Sequence, residues 1–183
     1  MLIGIEGELG GGKTLLMVYY LIREYEENKR KIMANIRISG IPYENIDVES
    51  LLQDNIELFD VVLGIDEITL FADCRMSMSK RNLFFGYLIL QSRKRNMDVY
   101  YTTQDLTMLD KRFLQHTNMT ILCEKLHNAS GETIDDYRMF SIFDLRSRKL
   151  NMKTFIMDIS PYYSYYDTNQ IITPIEIKKS KKE

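Results

Sequence analysis

The chain has 183 residues, of which 45% are hydrophobic and 27% charged, a composition that can bury a core and excludes a disordered tail. Its 24 basic and 26 acidic residues give a formal charge of -2, which argues against a surface that is basic all over and leaves room only for a local basic patch. The two cysteines, Cys74 and Cys123, indicate neither a disulfide scaffold nor a cysteine zinc site. We therefore expect one domain in a reducing, cytoplasmic setting.

The apolar stretches of the sequence are short, and residues 61–65 form one of the longest. A helix that crosses a bilayer needs about 20 apolar residues, so we expect no membrane span. Met1 is followed at once by a strand-like segment rather than by a basic region and an apolar segment. We therefore expect no export signal.

The first part of the sequence alternates between strand-like and helix-like segments. Residues 2–6 predict a strand, a glycine-rich loop follows, and a helical pattern begins at Lys13. Residues 31–36 predict a second strand and residues 48–53 a short helix. Residues 61–65 form a continuous apolar run between two aspartates, which is typical of a central parallel strand buried on both faces.

The second part begins with a helix at residues 82–95 and a strand at residues 98–102. Three more strand-like segments follow, at residues 120–126, 137–145 and 153–159. No convincing helix separates the last two, so we expect a hairpin at one edge of the sheet. The sequence predicts an α/β fold, with a mainly parallel sheet flanked by helices and a C-terminal β-hairpin extension. We place this domain at residues 1–160, followed by a tyrosine-rich segment and a lysine-rich tail at residues 161–183.

A phosphate-binding loop is the clearest motif. Five of the nine glycines lie within the first twelve residues, and residues 7–14 match the pattern of Gly, four residues, Gly, Lys and then Ser or Thr. The glycines allow backbone N–H groups to turn toward phosphate oxygens, and the following helix adds the positive end of its dipole. We expect Lys13 to contact the β and γ phosphates of ATP and Thr14 to offer its hydroxyl to Mg²⁺. The predicted nucleotide-binding residues are Gly7, Gly10, Gly11, Gly12, Lys13 and Thr14.

An acidic pair, Asp66 and Glu67, follows the apolar run at residues 61–65. Ligands bind at the carboxyl ends of the strands in open α/β sheets. We expect Asp66 to hold Mg²⁺ in its outer shell or through water, and Glu67 to polarise the water that attacks the γ phosphate. Such a pair is also common as a plain helix cap, but the upstream phosphate loop favours the catalytic interpretation.

Two further groups lie beside the strand at residues 98–102. The strand ends with three polar residues, Thr102, Thr103 and Gln104. One interpretation is that their side chains contact the γ phosphate or its water, and the other is that they form an ordinary polar strand end. Arg93 lies just before this strand, where a cation can serve as an arginine finger in a neighbouring subunit's site. A solvated helix end is the alternative interpretation of Arg93.

A basic segment follows the acidic pair at residues 75–81. Its cations, Arg75, Lys80 and Arg81, suit contact with a phosphate backbone, and a mobile connection is an equally good interpretation. The lysine-rich residues 178–182 are better explained as a solvated end than as a binding arm.

Together these motifs resemble the FtsK/HerA superfamily of P-loop ATPases, and within it the Zot-like proteins and the viral genome-packaging ATPases. The resemblance covers residues 2–126. Its most discriminating parts are Ile65-Asp66-Glu67 and Tyr101-Thr102-Thr103-Gln104, together with an arginine upstream of that glutamine. Asn96 stands where the family usually has a glycine, and asparagine tolerates a left-handed backbone better than most residues.

The resemblance implies an ASCE-type sheet, in which the strand before Gln104 lies between the phosphate-loop strand and the acidic strand. It also implies a ring, commonly of six subunits, with nucleotide at the subunit interfaces and DNA in the channel. Arg93 would then be the arginine finger, with Arg95 as the alternative, and Gln104 the sensor of the γ phosphate. Tyr165-Tyr166-Asp167-Thr168 looks like the Tyr-Asp-Thr group that follows the ATPase core in many Zot-like phage proteins.

We expect an ATP-driven translocase of double-stranded DNA, a viral packaging motor that uses ATP and Mg²⁺, with Glu67, Gln104 and Arg93 as catalytic residues. The small size leaves room for a motor core but not for a separate nuclease. A Zot-like morphogenesis ATPase that acts on a capsid or other virion protein is the main alternative. A small-molecule kinase and a non-hydrolysing scaffold are less well supported, because no acceptor pocket is evident and Glu67 suits hydrolysis.

Overall fold

The architecture is an eight-stranded sheet with helices on both faces, as given by a computed structural model that describes residues 1–47, 58–76, 80–146, 152–167 and 170. The strands are β1 Leu2–Gly7, β2 Lys31–Ala34, β3 Glu44–Asn45, β4 Val61–Ile65, β5 Asp98–Thr103, β6 Met119–His127, β7 Thr133–Asp144 and β8 Met152–Asp158. The α-helices are α1 Lys13–Asn28, α2 Lys80–Ser92 and α3 Lys111–His116.

The strand order is β3-β2-β4-β5-β1-β6-β7-β8. All pairs from β3 to β6 are parallel, whereas β6, β7 and β8 pair antiparallel, and β7 with β8 forms the predicted hairpin at one edge of the sheet. Strand β5 lies between β1 and β4, the order that the family resemblance implies. The predicted fold class is therefore confirmed, and the carboxyl ends of the parallel strands share one edge of the sheet.

Each face of the sheet packs against helices because the central strands carry apolar side chains on both sides. Every residue of β4 is buried, as the apolar run predicted. Helix α1 covers one face, where Leu16 and Leu21 pack with Val62 of β4. On the other face, Ile89 of α2 and Phe113 of α3 belong to a second apolar cluster.

Most predicted elements are present, with ends that differ by a few residues. The strand at residues 61–65 has the predicted limits, whereas the helix predicted at residues 82–95 is Lys80–Ser92. The two-residue strand β3 and the six-residue helix α3 were not predicted, because segments this short show little periodicity. The short helix expected at residues 48–53 and the lysine-rich tail lie outside the described residues.

The tyrosine-rich segment after β8 packs on the α1 face of the sheet. It forms a 3₁₀ helix, Ser160–Tyr165, and Tyr162, Tyr165 and Tyr166 pack against the apolar cluster that includes α1. The domain boundary at residue 160 stays a prediction.

In the part of the chain that the structure describes, no helix is long and apolar enough to cross a membrane.

Candidate functional site

The phosphate loop joins β1 to α1 and passes closely over the backbone of β6. A Cβ atom at Gly7 would lie 2.3 Å from the carbonyl oxygen of Cys123, so any larger residue would displace the loop. Gly12, the N-cap of α1, has a φ of 93°, a left-handed conformation that glycine adopts at no steric cost. Gly12 makes no side-chain cap hydrogen bond, and the first N–H groups of a helix have no partner within the helix, so this end of α1 suits an anion.

Hydrogen bonds hold the loop in a turn. The carbonyl oxygen of Glu8 accepts from the N–H of Gly11 at 3.1 Å and from the ammonium group of Lys13 at 3.0 Å. Lys13 is buried, so the lysine predicted to contact phosphate lies within the loop rather than in solvent. These bonds define the conformation of the loop.

Arg138 on β7 clamps the outer side of this loop. Its Nε donates to the carbonyl oxygen of Gly10 at 3.0 Å, and its Nη1 donates to the carbonyl oxygens of Ile134, Asp135 and Tyr137 at 3.1, 2.9 and 2.8 Å. The side chain is only 8% exposed. One guanidinium thus ties the phosphate loop to the hairpin extension.

The carboxylate of Asp66 connects the phosphate loop with the ends of two strands. One oxygen accepts from the hydroxyl of Thr14 at 2.9 Å and from that of Thr102 at 2.6 Å. Asn35, just after β2, accepts from the Asp66 N–H at 2.7 Å and donates to its carbonyl oxygen at 3.0 Å. Burial raises the pKa of Asp66, against the opposing effects of these hydroxyls and the Lys13 charge.

Thr14 and Asp66 fit a hard divalent cation. Mg²⁺ binds oxygen ligands, usually one or two from protein, with waters and substrate phosphates completing its shell. The hydroxyl and carboxylate that would supply those oxygens are hydrogen-bonded to each other at 2.9 Å. Mg²⁺ held there would neutralise charge on the phosphates of a nucleotide.

Glu67 lies beside this group in a fixed turn. Its backbone has a φ of 52°, which is uncommon for a residue with a side chain, and its N–H donates to the hydroxyl oxygen of Thr102 at 2.9 Å. Burial and the nearby charge of Asp66 raise the pKa of the Glu67 carboxyl. A carboxylate with a raised pKa accepts a proton from water more readily than an ordinary one.

These predicted residues meet around one cavity of about 330 Å³. Its lining consists of the phosphate loop, the acidic pair and two residues from the C-terminal segment: Leu9, Gly10, Gly12, Lys13, Thr14, Asp66, Glu67, Tyr166 and Gln170. The cavity places a lysine, a hydroxyl and two carboxylates together, which suits binding of a phosphate chain and polarisation of a water.

Gln104 and Arg93 are not among the described residues that line this cavity. Gln104 is exposed directly after β5. Arg93 lines a different cavity of about 490 Å³, together with Leu2 and Asp98 at the amino ends of β1 and β5. It therefore lies at the edge of the sheet opposite the phosphate loop, and within one subunit it does not join the site.

The turn at Asn96 has the left-handed backbone conformation that an asparagine in place of glycine can adopt. Asn96 has a φ of 48°, in the left-handed region that asparagine tolerates, and its amide donates to Asp60 at 2.7 Å. The guanidinium of Arg95 lies over the ring of Phe59, 5.3 Å from its centroid, whereas Arg93 is exposed. Arg95 is therefore packed on a ring of its own chain, whereas Arg93 is open to solvent.

The basic segment at residues 75–81 is described only in part. Arg75 is exposed and its guanidinium donates to Asp73 at 3.0 Å. Lys80 and Arg81 begin α2, and their side chains lie outside what the structure describes. A role for this segment in contacting DNA stays a prediction.

Sequence reasoning missed four residues that shape the site. Asn35 and Arg138 hold the backbones of Asp66 and the phosphate loop, and Tyr166 and Gln170 line the cavity. Asn35 lies near the carboxyl end of the strand predicted at residues 31–36, which is the signal that could have placed it at this edge of the sheet. Arg138 carries no such local signal, and Tyr166 was noted only as part of a family-like group.

No protein-family model and no curated protein sequence matches the chain. Among solved structures, the N-terminal domain of zonular occludens toxin from Neisseria meningitidis aligns with a TM-score of 0.66 at 18% identity, covering 91% of this chain and 98% of that one. The genome packaging NTPase of Sulfolobus turreted icosahedral virus 2, in complex with ATP-gammaS, aligns with a TM-score of 0.54 at 12% identity, covering 83% and 95%.

A KaiC-like protein from Pyrococcus horikoshii aligns with a TM-score of 0.57 at 14% identity, covering 88% of this chain and 86% of that one. These identities are low, so the three likenesses concern the fold. They agree with the resemblance to Zot-like and viral packaging ATPases that the sequence motifs indicated. The chain has a P-loop NTPase fold, shared with a Zot domain and a viral genome-packaging NTPase.

Proposed function

We propose that this protein is an ATP-hydrolysing motor subunit that translocates double-stranded DNA during viral genome packaging in the host cytoplasm. The observation that supports hydrolysis best is the single cavity shared by Lys13, Thr14, Asp66 and Glu67. The fold likeness to a genome packaging NTPase supports the packaging role.

The proposed reaction is in-line attack of water on the γ phosphorus of ATP, which breaks the bond to the oxygen that bridges the β and γ phosphates and releases ADP and inorganic phosphate. Lys13 binds the β and γ phosphates, and Thr14 with Asp66 holds Mg²⁺, which neutralises charge on the phosphates. Glu67 accepts the proton of the attacking water, and the hydrogen bond from its N–H to Thr102 holds the turn that carries it. Gln104 then senses the γ phosphate from the end of β5.

We further propose that subunits assemble into a hexameric ring in which Arg93 completes the neighbour's site. Helix α2 carries an exposed apolar stripe, with Leu83, Tyr87 and Leu90 being 48%, 55% and 59% exposed at the spacing of one helical face. Arg93 is exposed and follows directly after the last residue of α2, three residues beyond Leu90. Packing of the stripe against a second copy would bury it and bring Arg93 toward the neighbour's phosphates.

DNA is the proposed polymer, and Arg75, Lys80 and Arg81 are its proposed contacts. A second candidate function is a Zot-like morphogenesis ATPase whose partner is a capsid or other virion protein. The likeness to a Zot domain, which aligns over 98% of its length, favours keeping this candidate. The two functions differ in the polymer that stimulates hydrolysis.

The test is the ATPase rate of the parent chain with double-stranded DNA, single-stranded DNA and no polymer. We expect stimulation by double-stranded DNA, weak ATP binding by Lys13→Ala, and normal binding with slow hydrolysis by Glu67→Gln. Equal hydrolysis by Glu67→Gln and the parent would contradict the role of Glu67. Hydrolysis that no DNA stimulates would favour the morphogenesis ATPase.

A further inference from the structure

The C-terminal tyrosine segment crosses the molecule from one part of the sheet to another. We name residues 160–166 the tyrosine strap; they follow β8 at the hairpin edge. Midway, the ring of Tyr162 packs edge-on against Tyr19 of α1, with centroids 5.2 Å apart. The strap therefore runs over α1, the helix that begins at the phosphate loop.

The far end of the strap is fixed next to β2. The carbonyl oxygen of Tyr165 accepts from the N–H of Ser39 at 2.7 Å, and Tyr166 forms an antiparallel bridge with Ile38. A Cβ atom at Gly40 would lie 2.7 Å from the Tyr165 ring, so the strap is packed tightly here. These contacts hold the backbone of Tyr166 at a defined place beside the carboxyl edge of the sheet.

Gln170 is held at the same place by a different contact. Its side-chain oxygen accepts from the N–H of Arg37 at 2.7 Å, and its own N–H donates to the carbonyl oxygen of Asp167 at 3.2 Å. Because the side-chain oxygen of Gln170 already accepts a hydrogen bond, its side-chain NH₂ group is the part that can donate to a ligand.

Tyr166 and Gln170 share the 330 Å³ cavity with the phosphate loop and the acidic pair. The phenol O–H of Tyr166 is a hydrogen-bond donor. The cavity therefore has two neutral donors on the strap side. Its carboxylates, Asp66 and Glu67, repel anions, so these donors reduce the cost of placing a phosphate close to them.

We propose that Tyr166 and Gln170 donate hydrogen bonds to the terminal phosphate of a bound nucleoside triphosphate, so that the strap distinguishes triphosphate from diphosphate. This inference rests on the proposed ATPase function. Asp66 and Glu67 line the same cavity as Tyr166. Because these two acidic residues are expected beside the γ phosphate, Tyr166 would also contact the γ phosphate rather than the α or β phosphate.

The first test compares binding of ADP and of β,γ-methylene ATP, an ATP analogue that is not hydrolysed. Tyr166→Phe removes only the hydroxyl, and we expect about tenfold weaker binding of the analogue with less than about a twofold change for ADP. Gln170→Leu should have an effect of the same sign. The matched control is Tyr163→Phe, since Tyr163 is 43% exposed, does not line the cavity among the described residues, and donates to the carbonyl oxygen of Asp135 at 2.9 Å.

The second test uses fluorescence and does not depend on loss of affinity. The chain has no tryptophan, so Tyr166→Trp places a single reporter in the cavity and Tyr163→Trp places one outside it. We expect the emission of the first variant to change when the ATP analogue binds and to change less with ADP. The emission of the second variant should respond to neither nucleotide.

The outcomes separate this inference from the proposed function. If the parent binds nucleotide and Lys13→Ala does not, while Tyr166→Phe binds both nucleotides like the parent, the ATPase proposal stands and the strap proposal is overturned. An equal loss of ADP and analogue binding in Tyr166→Phe also overturns it, because the hydroxyl would then not recognise the terminal phosphate. A parent chain that binds no nucleotide overturns both.

Discussion

Replacing Arg138 tests whether the phosphate loop depends on a residue far away in the sequence. Its guanidinium makes four hydrogen bonds to backbone carbonyl oxygens, one in the loop and three in β7, and the two hydrogens of Nη1 are shared among the three in β7. The three in β7 belong to an irregular stretch, because Lys125 pairs with Arg138 whereas the next residue, Leu126, pairs with Ile134. The residues between Ile134 and Arg138 lack regular partners on β6, and the guanidinium bridges this irregular stretch by contacting carbonyl groups near both of its ends.

The expected magnitude follows from those four bonds. A hydrogen bond to a charged group contributes about 1.5–3 kcal/mol, but bonds made by one side chain are not additive. We expect Arg138→Met to lower the free energy of unfolding by about 3 kcal/mol, which corresponds to a midpoint about 10 °C lower. Arg138→Lys keeps the charge but cannot reach both sets of carbonyls, so we expect a loss of about 1–2 kcal/mol.

Nucleotide affinity is the second measurement on the same variants. The peptide between Gly10 and Gly11 is held at both ends, by Arg138 at its carbonyl and by the Glu8 carbonyl at its N–H. Releasing one end lets this part of the loop turn, and we expect ATP to bind about tenfold more weakly to Arg138→Met. Urea unfolding and titration with an ATP analogue measure the two effects.

Arg23→Met is the matched control, because it removes an exposed arginine paired with Glu27 one turn along α1. It should leave both stability and ATP affinity nearly unchanged. If Arg138→Met has the same free energy of unfolding and the same affinity for ATP as the parent, the contacts of Arg138 contribute to neither property. If Arg138→Lys behaves like the parent, charge rather than the forked geometry accounts for the effect, and the reasoning from four directed bonds is wrong.

Three more predictions concern the proposed catalytic groups. Asp66→Asn should raise the Mg²⁺ concentration needed for half-maximal hydrolysis, because a neutral amide is a poorer partner for this cation; an unchanged Mg²⁺ dependence contradicts the assignment. Because burial and Asp66 raise the pKa of Glu67 above its ordinary 4.5, acid should protonate this base at a higher pH than usual, and the rate should fall as pH is lowered toward that pKa. A pH–rate profile measures this fall, which the slow Glu67→Gln variant should lack. Finally, Arg93→Ala subunits and Lys13→Ala subunits should each be nearly inactive alone but should regain hydrolysis when they are mixed. The reason is that a Lys13→Ala subunit can supply its Arg93 to the intact phosphate loop of a neighbouring Arg93→Ala subunit. Absence of recovery in rings shown to contain both variants contradicts the action of Arg93 between subunits.

The parts of the site that the sequence could predict depend on short stretches of chain. The phosphate loop is contiguous, so its pattern identifies Lys13 and Thr14 without any tertiary information. Asp66 and Glu67 follow a buried apolar run, and parallel strands bring such ends to one edge. The fold class follows from the same alternation of strands and helices, which explains why it was predicted correctly.

The parts that could not be predicted depend on how distant segments pair. Arg138 reaches Gly10 only because of the irregular pairing of β7 with β6, which no pattern in the sequence reveals. Tyr166 reaches the cavity only because the strap crosses α1 and pairs with Ile38. Thr102 was considered as a contact for phosphate, whereas the structure buries it completely as a partner of the acidic pair.

The bond between Arg138 and Gly10 also bears on the order of events during synthesis. The two residues are 128 positions apart, so the phosphate loop leaves the ribosome long before the strand that clamps it. A nascent chain that lacks β7 contains the whole nucleotide-binding motif but not the contact that fixes the Gly10 carbonyl. Contacts between residues this distant form late, after the intervening chain has been ordered. ATP binding should therefore be acquired near the end of folding, although its motif is among the first segments to be made.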